Sequence, residues 1–468
     1  MTVRVGRKTA TVAAFGALSL VLAACGGGDD GGTTEETDAA GGGAAASDLT
    51  IDCDYYTENF PDIDGTTVSV YTSIVAPEDQ PHIDSWVPFE ECTGVDVTYE
   101  GSKEFEAQLI VRVQSGNPPD VAYLPQPGLL GTLVADTGAV VEPAQQTVDQ
   151  VDEWFDEGWK LYGSVDGTFY AAPLGSNSKS FVWYSPSAFE EAGYEIPTTW
   201  EEMVALSDQI VADNPDGSVK PWCAGIASGD ATGWSATDWM EDVFLRDLGP
   251  DLYDQWVSNE LKFNSPEVLG VLEDVGSILK NPDYVNAGFG DVVTIASTTF
   301  QDGGLPILDG SCFMHRQASF YQANWPEGTD VAEDGQVFAF YFPANEGATE
   351  KPVLVGGEFV AAFDDRPEVQ AFQTYLASPD WANNKAKVSG PGWVSANTGL
   401  DVANLSSPID QLAAEQFQDP EAVVRFDASD LMPAEVGAGS FWTQMTAWIA
   451  EDKADQAVLD AIQASWPS

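Results

Sequence analysis

The chain reads as an α/β protein built from two lobes rather than from domains strung in series. Three observations predict this. Strand-like and helix-like segments alternate between residues 66 and 124, which is the pattern of a parallel sheet with helical crossovers. The texture then changes to a helical, aromatic-rich remainder that holds all but one of the tryptophans. Beyond the first 48 residues no Gly-, Ser- or Pro-rich linker is long enough to separate independent domains, so several short crossings between lobes fit better.

Taken in order, 66–72 alternates and is rich in β-branched residues, predicting a strand. The next segment, 82–92, reads as a helix interrupted at Pro88, and 95–99 as a second strand. Over 104–114, Phe105, Leu109, Ile110 and Val113 fall on one helical face, and Asn117-Pro118-Pro119 stops that helix. A third strand is predicted at 120–124. Ligands of parallel sheets sit beyond the carboxyl ends of the strands, which points to Ser73 and Gln126. Later helices are expected at 199–212, 237–248, 266–280, 367–377 and 440–464, and strands at 180–184, 336–342 and 359–363. In 440–464 the apolar stripe Phe441, Trp442, Met445, Trp448, Ile449 is core rather than ligand site.

The N-terminus has its own logic. Arg4, Arg7 and Lys8 precede an apolar run that ends in Leu22-Ala23-Ala24-Cys25. This is a charged n-region, an h-region and a small-residue cleavage site. The run is shorter than the roughly 20 residues a bilayer span needs. Residues 1–24 are therefore expected to be a signal peptide. The cysteine after the small residues resembles a bacterial lipobox, which would make Cys25 a lipidation site. Residues 26–47 have no aromatic, branched aliphatic or basic residue, so 25–48 is expected to be the lipidated cysteine and a flexible tether reaching about 25 Å. Export, with a lipid anchor at the outer face of the cell membrane or in the periplasm, follows as the expectation.

Composition excludes several functions. With 75 acidic and 18 basic residues and a net charge of −57, the surface repels nucleic acid. Besides Cys25 there are four cysteines, Cys53, Cys92, Cys223 and Cys312, an even number that suggests two disulfides in an exported chain. Their pairing is open at this point. Only two histidines occur, His82 and His315, with no metal-ligand spacing, so neither a metal site nor another cofactor is expected. Gly-x-Ser-x-Gly is absent, and two histidines leave little room for a Ser-His-Asp arrangement. No enzymatic activity is expected. His315 reads as a packed, hydrogen-bonded residue.

Several segments carry a resemblance: 180–189 (SFVWYSPSAF) with 194–202 (YEIPTTWEE), 221–234 (PWCAGIASGDATGW) with 237–242 (TDWMED), 312–320 (CFMHRQASF), 356–359 (GGEF) and 389–397 (SGPGWVSAN). Together with the lipobox and acidic tether, the chain resembles the solute-binding lipoproteins of carbohydrate ABC importers, in the α-glucoside-binding branch related to maltose-binding protein. That resemblance implies a type II periplasmic-binding-protein-like fold, with a mixed sheet flanked by helices in each lobe and ligand in the cleft between them. It implies lobes of 49–178 plus 312–365 and of 179–311 plus 366–468. It also implies the pairings Cys53–Cys92 and Cys223–Cys312. The partners implied are a small-molecule sugar and the permease subunits of the importer, the chain acting as a monomer. A polyamine or peptide solute in the same fold, or a non-catalytic surface adhesin, are the rival readings.

A sugar site needs flat aromatic plates for C–H faces and planar polar groups for hydroxyls. The 229–234 loop offers Asp230 and Trp234, with Asp238 just beyond. Arg316 and Gln317 follow a β-like run and are candidates to point into the cleft, with a buried ion pair as the alternative for Arg316. Glu358 lies in the Gly-Gly-Glu segment, and Trp393 in a Gly-Pro-Gly loop that favours a cleft rim. With Ser73 and Gln126 these nine residues form the expected ligand-binding set.

Overall fold

The computed structural model describes residues 49–286, 291–419 and 421–467. The expected signal peptide, the expected lipidation site Cys25 and the expected tether lie outside the described residues. Among those described, no helix is long and apolar enough to cross a membrane.

The strands are β1 (Thr67–Thr72), β2 (Asp96–Gly101), β3 (Val121–Leu124), β4 (Ser164–Val165), β5 (Thr168–Phe169), β6 (Ala171–Ser178), β7 (Phe181–Tyr184), β8 (Lys220–Cys223), β9 (Val285–Asn286), β10 (Cys312–Arg316), β11 (Phe338–Tyr341), β12 (Lys351–Ala362) and β13 (Ala422–Phe426). They form two main sheets. The first runs β13-β12-β3-β1-β2, with β6 also paired to β12. Its centre is parallel, Val70 facing both Tyr99 of β2 and Val121 of β3, and β12 joins β3 antiparallel through Phe359–Leu124. The second runs β11-β7-β10-β8-β9.

Helix starts follow local chemistry. Four Ser-Pro pairs open helices: Ser185 before Pro186–Ala192, Ser265 before Pro266–Leu279, Ser378 before Pro379–Val388 and Ser407 before Pro408–Gln418. In each the serine hydroxyl accepts from a backbone N–H of the first turn. The proline occupies a position whose N–H would go unbonded anyway. The expected helix at 440–464 is two helices, Trp442–Ala450 and Asp455–Ala464. The break falls at Asp452, whose backbone takes φ 50°, a conformation that cannot continue a right-handed helix. The expected helix at 237–248 starts earlier, at Trp234, and runs to Val257 across a kink at Gly249-Pro250.

Each sheet has its own core. Trp86, Phe89, Phe372, Tyr375 and Trp381 pack on one face of the first; Trp183, Trp222, Met240, Phe244 and Trp256 pack around the second. Each such side chain contributes about 1.5–3 kcal/mol by leaving water. Disulfides join Cys53 to Cys92 and Cys223 to Cys312. The second links β8 to β10, which pair in parallel.

That pairing departs from the expected lobe boundaries. Residues 312–341 were expected beside the first sheet, yet β10 and β11 belong to the second. Conversely, 367–388 buries Val369, Phe372 and Trp381 against the first sheet, and β13 extends that sheet through β12. The physical reason is register: Met314 and Phe338 both face Tyr184 across β7, so β7 commits both strands to its own sheet. The chain passes from a strand of one sheet to a strand of the other at Lys179-Ser180 and through 342–350, and it leaves the first sheet after β13 at Asp427.

Candidate functional site

A cavity of about 500 Å³ is lined by strand residues of the first sheet, by the loops that follow its strands, and by loops and helices that pack around the second sheet, within the roughly 300–1,000 Å³ of small-molecule sites. Ser73 follows β1 and Gln126 follows β3, so the carboxyl-end rule places both at its wall. Glu358 comes from β12, Trp234 from the first turn of Trp234–Val257, and Trp393 from the loop after Pro379–Val388. Gly233 takes φ +116°, and a Cβ there would meet the Trp442 carbonyl at 2.2 Å. Only glycine lets the helix that carries Trp234 begin so close to the next wall.

Two aromatic plates face this space. Trp234 packs edge to face with Phe300 at 5.0 Å between centroids and tilts against Phe320 at 6.0 Å. Trp393 stands edge-on to Trp381 at 5.5 Å, with the Lys385 ammonium 4.9 Å from its ring centre. Both are half-buried. Around Trp393 the backbone leaves room deliberately. A Cβ on Gly175 would lie 2.8 Å from Glu358 Oε2 and 3.0 Å from Trp393 Nε1. Five lining residues each hold a shielded polar atom without a hydrogen-bond partner in the protein: His82 Nδ1, Gln126 Oε1, Ser176 Oγ, Asn177 Oδ1 and Trp393 Nε1.

The charged lining is unusual in its protonation. Burial, reinforced by Glu358, pushes Glu78 up to about 7. Burial also raises Glu358, with Lys385 opposing, and pulls Lys385 down to about 7 against the pull of Glu358 and Glu78. Burial raises Glu106 although Gln126 Nε2 donates to it at 3.2 Å. Burial followed by the charge of Asp427 holds Asp430 well above the carboxylate range. Burial thus favours the neutral form of every one of these groups, carboxyls and amine alike. A neutral carboxyl both donates and accepts, which suits hydroxyl groups.

Of the nine expected residues, Ser73, Gln126, Trp234, Glu358 and Trp393 line the cavity. Asp230 is exposed, and its neighbours Gly229 and Ala231 line the cavity instead. Asp238, Arg316 and Gln317 are buried behind the wall. Arg316 donates to Asp242 Oδ2 at 2.8 Å and to Asp238 Oδ2 at 3.4 Å. Gln317 Oε1 accepts from the Ala318 N–H at 2.8 Å. From Ser235 to Arg246 the helix Trp234–Val257 is buried, so its carboxylates take the arginine as counter-ion and leave it nothing to offer a ligand. His315 is buried, its Nδ1 3.0 Å from the Cys223 carbonyl, and burial pulls it down to about 4. The carboxylates of Asp238, Glu241 and Asp427 converge, but the Lys179 ammonium sits 3.0 Å from Asp238 Oδ1 and also bonds Asp427.

Sequence reasoning missed Glu78, Lys179, Lys385, Phe300 and Phe320. One signal was available for the lysines: in a chain with 18 basic residues, a lysine beside an apolar run such as 180–184 needs a reason.

Two sheets with a polar-aromatic cavity between their contributions describe a fold that captures small molecules, and the comparisons agree. Residues 65–383 match the family model for the bacterial extracellular solute-binding protein. The chain belongs to that family. This solute-binding protein is 36% identical over 408 residues to the osmoprotective compounds-binding protein GgtB of Synechocystis, covering 87% of this chain and 94% of the relative. It is also 36% identical over 419 residues to the alpha-glucosides-binding periplasmic protein AglE of Rhizobium meliloti, covering 87% and 88%. Among solved structures, the bacterial solute receptor AcbH, with an exclusive preference for β-D-galactopyranose, superposes with a TM-score of 0.71 at 17% identity, over 85% of this chain and 98% of that one. Maltose-bound MalE3 of T. maritima gives 0.62 at 16% identity, over 86% and 98%. At that identity the structures show the fold alone, the two-lobed type II arrangement. Family members are non-catalytic, extracellular or periplasmic partners of ABC importers.

Proposed function

We propose that this solute-binding protein captures an α-glucoside, such as an α-linked disaccharide, and delivers it to the permease of an ABC importer. The observation that carries the reading is the pairing of two half-buried tryptophans, Trp234 and Trp393, with buried carboxyls and orphaned polar atoms around one cavity of about 500 Å³. Tryptophan offers area to C–H faces at low entropy cost, and the polar atoms gain partners when hydroxyls arrive. The AglE relative, named for alpha-glucosides, supports the choice of sugar. Ser73, Gln126, Trp234, Glu358 and Trp393 are the ligand-binding residues on this reading, with Glu78 and Lys385 added. The lobes follow the two sheets, and solute favours the closed arrangement through contacts to both. Lipidation at Cys25 holds the protein at the membrane; mass analysis of the mature N-terminal peptide tests it, an unmodified thiol contradicting it.

The GgtB relative, named for osmoprotective compounds, favours a second reading, a different small organic solute in the same cavity. The acid-rich lining makes a polyamine its clearest example. Isothermal titration of the protein with trehalose, maltose, sucrose and spermidine separates the two. Heat with an α-glucoside alone supports the first reading; heat with spermidine alone overturns it.

A further inference from the structure

Lys179 occupies a position that solute capture by itself does not explain. It is one of two residues between β6 of the first sheet and β7 of the second, and it is 6% exposed. Its backbone N–H donates to the Leu354 carbonyl of β12 at 2.8 Å. Its ammonium lines the cavity, 5.5 Å from the ring centre of Trp234.

The same ammonium bonds Asp238, in the helix that begins with Trp234, and Asp427, where the chain leaves β13 of the first sheet. Asp427 in turn donates its N–H to the Val355 carbonyl at 2.8 Å. The ion pairs continue inward. Arg316 links Asp238 to Asp242, and Ser180, beside Lys179, donates to Asp242 at 2.8 Å. Arg246, paired with Asp242, donates to the carbonyl of Pro343 at 2.9 Å and of Pro352 at 3.2 Å, at the two ends of the 342–350 passage. A buried chain of charges therefore touches both strand-to-strand passages between the sheets and the exit from β13, and it reaches the cavity at Lys179 and Asp427.

The backbone is shaped around this side chain. A Cβ on Gly356 would meet Lys179 Cε at 2.7 Å, so Gly356, the first of the two glycines before Glu358, makes room for the lysine. Burial alone would strip Lys179 of its charge; Asp238 and Asp427 outweigh it and keep the charge in place.

We propose that Lys179 is a positioning residue of the binding cavity, orienting the Trp234 plate and tying it to the passages on which lobe movement turns. The proposal rests on the reading that the cavity holds the solute. Such a residue should change affinity per folded molecule, whereas a merely structural ion pair should change only melting.

The test uses the full-length protein as wild type, K179M, K179R, W234F and K179M/W234F, with D427N to unpin the lysine should K179M not fold. Affinity is measured by titration with trehalose, maltose and sucrose at a temperature where each variant is folded. A ligand-free arm records the Trp234 contribution to near-UV circular dichroism, as the difference between each background with and without W234F. The expected results are at least a tenfold weaker Kd for K179M, partial recovery in K179R, and an effect of K179M at least threefold smaller in the W234F background. In the ligand-free arm the Trp234 signal should change in K179M or D427N. Wild-type affinity in K179M with only a lower Tm would overturn the proposal, as would an equal loss in both backgrounds. If no sugar binds wild type, the functional reading fails, and an unchanged Trp234 signal would separately refute the role of Lys179.

Discussion

Substituting Gly175 by alanine tests the cavity wall without deleting any group proposed to touch solute. The added Cβ would stand 2.8 Å from Glu358 Oε2 and 3.0 Å from Trp393 Nε1. Both neighbours are side-chain tips, and the backbone at Gly175 has ordinary φ, so the tips can retreat by a few tenths of an ångström. Stability should fall by about 1 kcal/mol, the low end of overpacking costs. Affinity should fall further. A carboxyl and an indole N–H displaced from a solute hydroxyl leave a polar partner unpaired, about 1–3 kcal/mol, or roughly 5- to 150-fold in Kd. Gly357 is the control. A Cβ there would lie 2.4 Å from the Gly175 carbonyl oxygen, which belongs to a paired strand and cannot retreat, so G357A should cost about 3 kcal/mol of stability. Thermal melts and calorimetric titration with the solute read both quantities. G175A binding with wild-type affinity would refute the placement of Glu358 and Trp393 against the solute.

Other predictions concern the plates and the protonation of the wall. W234A and W393A should each weaken solute binding by about 2 kcal/mol, the scale of a buried tryptophan anchor, read by titration; loss of neither would remove the stacking site. Glu78 titrates near 7 in the folded chain against an ordinary value of 4.5. The folded state therefore holds more protons between those pH values. Its contribution to stability is full below about pH 4.5 and lost as pH rises through 7. E78Q stays neutral throughout, so wild type should lose stability relative to E78Q across that window in denaturant melts; parallel pH profiles would contradict it.

Much of the first sheet was legible because its strands advertise themselves. The 66–72 alternation, the Phe105-Leu109-Val113 face and the Asn117-Pro118-Pro119 stop correspond to β1, the helix Phe105–Gln114 and the turn into β3. β6 was not legible. Its sequence, AAPLGSNS, has no β-branched residue and contains proline and glycine, and it is a strand because β12 pairs with it and leaves it buried. The lobe boundaries failed for a related reason, since a strand such as 312–316 carries no mark of which sheet it joins. In the site, aromatic and glycine-rich loops were readable at Trp234, Glu358 and Trp393. Asp238 and Arg316 looked alike in sequence but are spent on each other. Whether a charge faces solute or counter-ion depends on distant neighbours, and Lys179 was missed on the same ground.

The most direct measurement is the melting temperature of the exported protein against α-linked disaccharides, monosaccharides, polyamines and peptides. A ligand at about a thousand times its Kd adds roughly 4 kcal/mol of stability, a shift of several degrees. The account predicts a selective rise with one α-glucoside, and loss of that rise in W234A and W393A. A rise with a polyamine and none with any sugar would contradict it.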